Sequence, residues 1–294
     1  MNCLIVGCGY LGRIVAQRWI ASGDSVYALT RSSAKNATFE DKSITPIVVD
    51  WYKENGWPTL PILDRVLVCA SHAAVPRISP IDTHCLGLKN LFHHLVSSPA
   101  TFTYLSTTGV YSACYDGQWI DENSPVGPRR PGSIAALAAE HWIAKHVPPR
   151  QYTILRAAGI YGPGRIPRLD KLIANEPIEA DPESYLNLIH VEDLARITVA
   201  SMDDFRCRGV YNVSDGQPVL RREYYQFIAK TIGAANPRFC DPASIQQNSN
   251  SPHPRSRGEG NKRISNQLWV QSFKYRFLFP NYNTGLKPLL LDSK

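Results

Sequence analysis

The hydrophobic positions of this chain change their period along its length. Near-continuous apolar, β-branched runs stand at Asn2–Val6, Ser25–Leu29, Ile44–Val49, Arg65–Cys69, Phe102–Ser106 and Thr153–Arg156. Between them lie longer stretches at Leu11–Ser22, Pro80–Ser97 and Ser133–His146 that read as helices. Runs such as Val66-Leu67-Val68-Cys69-Ala70 show no polar alternation, which fits strands covered on both faces. The alternation predicts an α/β protein, a doubly wound parallel sheet with its helices on either side. After about residue 160 the texture changes: prolines and glycines punctuate the chain, helices shorten, and Gly209–Val213 is a last strand-like run that rejoins the sheet. The stretch Asp241–Gly260 is polar and rich in Pro, Ser and Asn, the composition of a long loop. The expected division is residues 1–160 plus about 187–214 as one domain, and 161–186 plus 215–294 as a smaller C-terminal lobe.

Composition narrows the class only a little. Of 294 residues, 44% are apolar and 19% charged, enough for a well-buried core. No apolar run approaches the ~20 residues that span a bilayer. The first apolar stretch stops at Gly7 without a basic flank, so it reads as a strand rather than a leader. Seven cysteines, odd in number, scattered and without a CxxC pair, indicate neither a disulfide framework nor a zinc site, and no metal is expected. A reducing cytoplasm is the natural expectation. The net charge of +7 is spread out except at Arg255, Arg257, Lys262 and Arg263, a cluster read as a charged loop or a contact for a substrate phosphate. Nucleic acid and membrane are not expected partners.

The firmest chemical signal is Gly7-Cys8-Gly9-Tyr10-Leu11-Gly12, a G-x-G-x-x-G that closes the first strand and opens the first helix. The first glycine permits the tight turn and the second lets backbone approach a pyrophosphate. The third lets helix and strand pack closely, while the helix N-terminus offers free N–H groups. In this strand–turn–helix setting the pattern predicts a Rossmann-type dinucleotide site that includes Tyr10 and Leu11. Arg31 stands nineteen residues after Gly12, at the end of the next strand, where an NAD-specific site places an acid. A guanidinium there suits a ribose 2′-phosphate, which favours NADP over NAD; a surface arginine would look the same. Asp50 and Trp51, after the third strand, are placed to touch the adenine, although a turn residue could occupy that position equally well. Ala70 and Ser71, after the fourth strand, complete this side of the expected cofactor site.

Four further segments resemble an extended or atypical short-chain dehydrogenase/reductase, of the NAD(P)-dependent epimerase/dehydratase kind. They are Tyr104–Tyr111, Leu155–Gly164 (LRAAGIYGPG), Asn187–Ala195 (NLIHVEDLA) and Gly209–Val213, in family order with the glycine turn. Asn261–Asn266 (NKRISN) and Tyr282–Leu286 are similar to an atypical branch. The resemblance implies that Ala158 and Gly159 lie beside the nicotinamide, that the C-terminal lobe binds substrate, and that catalysis uses a Ser/Thr with a Tyr-xxx-Lys pair. The lysine of that pair lowers the phenol from about 10 so that it can exchange a proton with a carbinol oxygen.

Thr107 fills the Ser/Thr position, unless it is simply a strand threonine. The dyad falls on Gly132 and Ala136, or on Ser133 and Leu137, and neither pairing supplies it. His141 and Lys145 lie too far along the same helix to substitute. Tyr111 and Tyr161 are candidate replacements that also fit a packing role; Ser133 either meets substrate or caps its helix, the cap being favoured. His190 and Asp193 are read as joining the two lobes. His72 would face the pyrophosphate or substrate mouth, and His84 aligns with an asparagine that helps order the family's active site, although an isolated histidine more often satisfies a local bond. The leading expectation is therefore an NADP-dependent oxidoreductase or epimerase/dehydratase-like enzyme with a non-standard acid/base. Its substrate would be a sugar or nucleotide-sugar-like small molecule, phosphorylated or nucleotide-linked, and a homodimer is compatible with the sequence. The rival is a catalytically inactive NAD(P)-binding sensor or partner-binding module.

Overall fold

The computed structural model describes residues 1–31, 39, 42–71, 78–95, 98, 100–111, 116–204, 206–240 and 260–291. Its strands are β1 (Asn2–Val6), β2 (Ser25–Thr30), β3 (Ile44–Val48), β4 (Arg65–Val68), β5 (Thr101–Thr107), β6 (Trp119–Ile120), β7 (Tyr152–Ala157) and β8 (Gly159–Tyr161). They continue with β9 (Tyr185–Leu186), β10 (Leu188–His190), β11 (Gly209–Val213), β12 (Val219–Leu220) and β13 (Arg263–Ile264). The helices are α1 (Tyr10–Ala21), α2 (Pro80–His94), α3 (Pro131–His146), α4 (Leu169–Ile173), α5 (Val191–Asp203), α6 (Arg221–Ile232), α7 (Gln267–Phe273) and α8 (Tyr282–Leu291).

Seven strands form one sheet in the order β11-β7-β5-β4-β1-β2-β3. The pairs β3–β2, β2–β1, β1–β4 and β4–β5 are parallel, with Leu4 opposite Tyr27 on one side and Val66 on the other. Reversal of strand order beside β1 is the Rossmann arrangement that the apolar periodicity predicts, and it brings the carboxyl ends of β1, β2, β4 and β5 to one edge. Pro46 sits in the middle of β3, opposite Ala28; as the last strand in this order, β3 can spare the missing N–H on its outer side.

Local chemistry explains the helix that crosses over to β5. Ser79 caps α2 by accepting from the Asp82 N–H at 3.0 Å, Pro80 occupies the first turn, and His93 and His94 stand in the last. Gly87 on α2 lies against the Trp51 indole so closely that a Cβ would stand 2.4 Å from the ring.

The chain divides into two compact units. The first comprises Met1–Thr107, Pro131–Arg156 and Leu194–Val210; its core includes Leu4, Val6, Val66, Val68, Leu88, Phe102, Tyr104, Ile143 and Ile154. The second comprises Thr108–Arg130, Ala157–Asp193 and Tyr211–Lys294, with a core of Tyr161, Leu172, Ile178, Leu188, Tyr224, Ile228, Leu286 and Leu290. Residues 108–130 thus go with the C-terminal residues, because β6 pairs in parallel with β13. That second unit also holds the short pairs β8–β10 and β9–β12.

The NKRISN segment is the second unit's internal strap. Asn261 accepts from the Tyr185 N–H, the Lys262 ammonium donates to the Tyr111 carbonyl at 3.4 Å, and the Arg263 guanidinium donates to the Gly117 carbonyl while lying over the Trp119 and Tyr185 rings. Ile264 is fully buried, and the Asn266 amide donates to the Ser214 carbonyl. Lys262 and Arg263 are therefore structural members of this strap; Arg255 and Arg257 lie outside the described residues. No described helix is long and apolar enough to cross a membrane.

Candidate functional site

Gly7 leaves β1 with φ +92°, and a Cβ there would stand 2.4 Å from the Ala70 Cα and 2.5 Å from its N. Glycine is therefore required where the end of β4 crosses the turn. Gly12 packs in the same way: a Cβ would lie 3.0 Å from the Gly7 carbonyl oxygen and 3.1 Å from Ile5 Cγ2. Gly9 differs. It is exposed, and its nearest neighbour would be the Gly7 oxygen at 3.9 Å. Among the described residues nothing demands glycine at that position, so the bare backbone there suits the close approach of a ligand. Helix α1 begins directly after it, with no side-chain cap and no acidic residue in its first turn. Its leading N–H groups carry the helix's partial positive charge, the kind of terminus that suits an anion. Leu11 is buried and Tyr10 half-buried, anchoring the turn.

The other candidates follow the carboxyl ends of the strands. Arg31 is exposed just past β2, and among the described residues no carboxylate pairs with it. Asp50 lies past β3, its Oδ2 3.1 Å from Lys53 Nζ, while its buried Oδ1 has no hydrogen-bond partner among the described residues. The Trp51 side chain is 7% exposed and spends its surface on Gly87 and the edge of His84. Ala70 is half-buried, with its backbone against Gly7, and Ser71 is exposed. Ala158 and Gly159 belong to the second unit, where their N–H groups donate to the Val213 and Asn187 carbonyls.

At the reactive end, Thr107 is the last residue of β5 and half-buried. Ser133 is the third residue of α3, inside the helix and buried, so it does not cap it; Pro131 begins that helix, which moves the expected start forward by two residues. Ala136 is fully buried and Leu137 half-buried, and as alanine and leucine neither supplies the amine that the dyad needs. Tyr111 is fully buried in the second unit, its hydroxyl donating to Asn212 Oδ1 at 3.0 Å. Tyr161 is fully buried as well, in contact with Gly285, and burial pushes its phenol far above the usual range. Phenols enclosed in this way fit the packing role, not proton exchange with a substrate.

The histidines behave as local partners. His84 is buried between Trp51 and Tyr104, whose hydroxyl lies 3.4 Å from Nδ1. His190 Nδ1 accepts from the Glu192 N–H, and burial pulls the ring below its ordinary pKa. Asp193 accepts from the N–H groups of Leu278 and Phe279, both at 2.8 Å, and from Tyr275, all within the second unit. His141 and Lys145 are exposed on α3, and His72 lies outside the described residues. Among the described residues no group of three His, Cys, Asp or Glu side chains could hold a metal ion.

Sequence reading passed over one buried cluster. Glu140 on α3 is 3% exposed, takes a fork from Arg156 with Nη2 at 2.6 Å, and accepts from the Ser106 hydroxyl. The available signal was a lone carboxylate following the apolar run Ile134–Ala139, on the buried face of its helix.

The NAD dependent epimerase/dehydratase family model matches residues 3–214. Short-chain dehydrogenase/reductase family 42E member 1 of Danio rerio is 32% identical over 104 residues, 31% of this chain and 27% of that protein. The matched stretch thus spans well under half the length of that relative. A functionally unknown conserved protein from Silicibacter pomeroyi superposes with a TM-score of 0.78 at 26% identity, covering 100% of this chain and 99% of its own. UDP-glucose 4-epimerase of Thermus thermophilus, in complex with NAD, gives 0.76 at 20% identity over 99% and 98% of the two chains. A human epimerase family protein with NADPH gives 0.78 at 15% identity over 99% and 100%. At those last two identities the likeness is one of fold.

Proposed function

Because the chain belongs to the NAD dependent epimerase/dehydratase family, we propose that it binds NADP on the Gly7–Gly12 turn. We further propose that it acts on a hydroxyl or carbonyl of a sugar or nucleotide-sugar-like small molecule. The observation that carries the cofactor reading is the turn itself, where Gly7 is forced by packing, Gly12 is packed tightly, and Gly9 is left bare for a pyrophosphate. The unpartnered Asp50 Oδ1 supports it independently, since a buried carboxylate oxygen without a donor suits an adenine amino group. Arg31, exposed and without a carboxylate partner among the described residues, would hold the 2′-phosphate. The Ala70 backbone closes the turn; Ser71, just past β4, is assigned to the same cofactor, and Ala158 and Gly159 are assigned to the nicotinamide from the family resemblance. A solved neighbour carries NADPH and another NAD, so the preference for NADP rests on Arg31.

When bound, the nicotinamide supplies a hydride donor or acceptor. Thr107 would hydrogen-bond the reacting oxygen, and Ser133, on the buried face of α3, is the other hydroxyl assigned to that end. Both can orient a substrate oxygen, and neither titrates near neutrality. The acid/base is therefore not the family's tyrosine–lysine pair. This absence supports the second reading, a protein that binds NADP without consuming it and answers its redox state through a partner. The six described cysteines are free thiols, which suits a reducing compartment for either reading.

The deciding experiment is a fluorescence titration with NADPH and NADH on the wild type and on Arg31→Ala. Loss of a hydrogen bond to a charged group costs about 1.5–3 kcal/mol, so NADPH affinity should fall roughly ten- to a hundredfold while NADH affinity holds. Equal affinities before and after the substitution would overturn the NADP assignment. Incubating the NADP+- and NADPH-loaded protein with a panel of sugars and nucleotide sugars, alcohols and ketones, then separates the readings: net change of the cofactor or conversion of the sugar supports the enzyme, and persistence of both supports the sensor.

A further inference from the structure

Ser106 and Thr107 are consecutive at the end of β5, so their side chains leave opposite faces of the strand. The pairing of β5 with β4 runs only to Tyr104, opposite Val68, so Leu105, Ser106 and Thr107 extend past that neighbour. A second restraint takes over at this point. The Ser106 hydroxyl donates to Glu140 Oε1, and Arg156 on β7 meets the same carboxylate through Nε at 3.1 Å to each oxygen and Nη2 at 2.6 Å. All three side chains are buried in the first unit.

Buried ion pairs are seldom retained for stability, since well-packed apolar replacements are often neutral or better. This one ties three elements through a single carboxylate: β5 at the residue before Thr107, β7 two residues before Ala158, and α3 two turns beyond Ser133. We propose that Glu140 is a positioning residue that, through the Ser106 hydroxyl, fixes the direction in which Thr107 presents its side chain to the nicotinamide. The inference rests on the cofactor reading above. Glu140 acts through Ser106, because Ser106 places it on the face of β5 opposite Thr107, and the Arg156 fork fixes its position there.

The test uses full-length protein with methyl-labelled threonine, NADPH, and the nuclear Overhauser effect between the Thr107 methyl and the nicotinamide ring protons. The wild type and Ser106→Thr, which keeps the hydroxyl, should show the effect. Ser106→Ala should lose it while binding NADPH within about twofold of wild type, because the glycine turn is untouched. A purely structural cluster would lower the melting temperature and leave the effect in place, and that result overturns the proposal. NADPH bound to wild type without any such effect also overturns it, together with the role of Thr107, yet leaves the cofactor reading standing. No NADPH binding at all would sink both. Should Ser106→Ala fail to fold, Ser106→Cys, a weaker donor of similar size, should show the effect reduced by half or more.

Discussion

Gly7 and Gly9 share a motif but have separate reasons for being glycine, and the difference can be measured. At Gly7 the reason is internal: φ of +92° and the Ala70 backbone 2.4 Å from any Cβ. Gly7→Ala should therefore destabilise the apo protein by at least about 2 kcal/mol, the scale of strained backbone at non-glycine residues, as read by urea denaturation. Gly9→Ala has room, with nothing nearer than 3.9 Å, and should leave apo stability within about 0.5 kcal/mol, the range of surface substitutions. Its cost should appear in NADPH affinity, where a methyl meets the ligand. If Gly9→Ala binds NADPH as wild type does, the pyrophosphate does not sit on this turn. Asp50 makes a similar case: Asn at that position should weaken NADPH and NADH alike, since the adenine is common to both.

At the level of elements, α3 carries most of the surprise. Its buried residues are Ser133, Ala135, Ala136, Ala139, Glu140 and Ile143, a packing stripe interrupted by one carboxyl side chain. Glu140→Ala would leave the Arg156 guanidinium buried without its carboxylate, which costs about 3–5 kcal/mol. Ser106→Ala removes one neutral donor to a charged acceptor and leaves the Arg156 fork in place, which should cost about 1.5–3 kcal/mol. Chemical denaturation of the two variants should show that gap, and equal costs would mean the ion pair contributes nothing beyond the hydroxyl contact. The α2 helix is simpler: its Ser79 cap, Pro80 and closing histidines all stand in the sequence, and the helix ends at His94, before the expected Ser97.

For the whole molecule, pH dependence should centre on the second unit. Burial, reinforced by the charge of Asp193, pushes the Asp215 carboxyl from its ordinary 3.8 up to about 7, against the opposing bond from the Gln217 N–H. A raised carboxyl means the folded state holds the proton more tightly than the unfolded one. Its contribution is fully present below pH 3.8 and is lost as pH rises to about 7. At about 1.4 kcal/mol per pKa unit, the loss is on the order of 4 kcal/mol. His190 acts in the opposite sense: its lowered pKa makes stability fall as pH drops through 6.5. The difference between wild type and Asp215→Asn isolates the carboxyl. Across pH 4 to 7 the wild type should lose stability relative to the variant in urea titrations, and parallel curves would refute the assignment.

Much of this protein was already written in its residue order. The sheet was legible because a strand buried on both faces must be apolar throughout, and β1 and β11 coincide with their apolar runs. The glycine turn was legible because its three glycines, the strand before them and the helix after them are contiguous. Tertiary structure decided what depends on residues far apart. Residues 108–130 join the second unit because β6 pairs with β13, a partner no local periodicity can announce. Burial decided the fate of Tyr111 and Tyr161, since a tyrosine at a strand end reads alike whether its hydroxyl meets substrate or, as with Tyr111, Asn212. Glu140 met Ser106 and Arg156 only when α3 was laid across β5 and β7. A side chain's neighbours along the chain follow from its order, but its neighbours in space, and with them its chemistry, follow from packing.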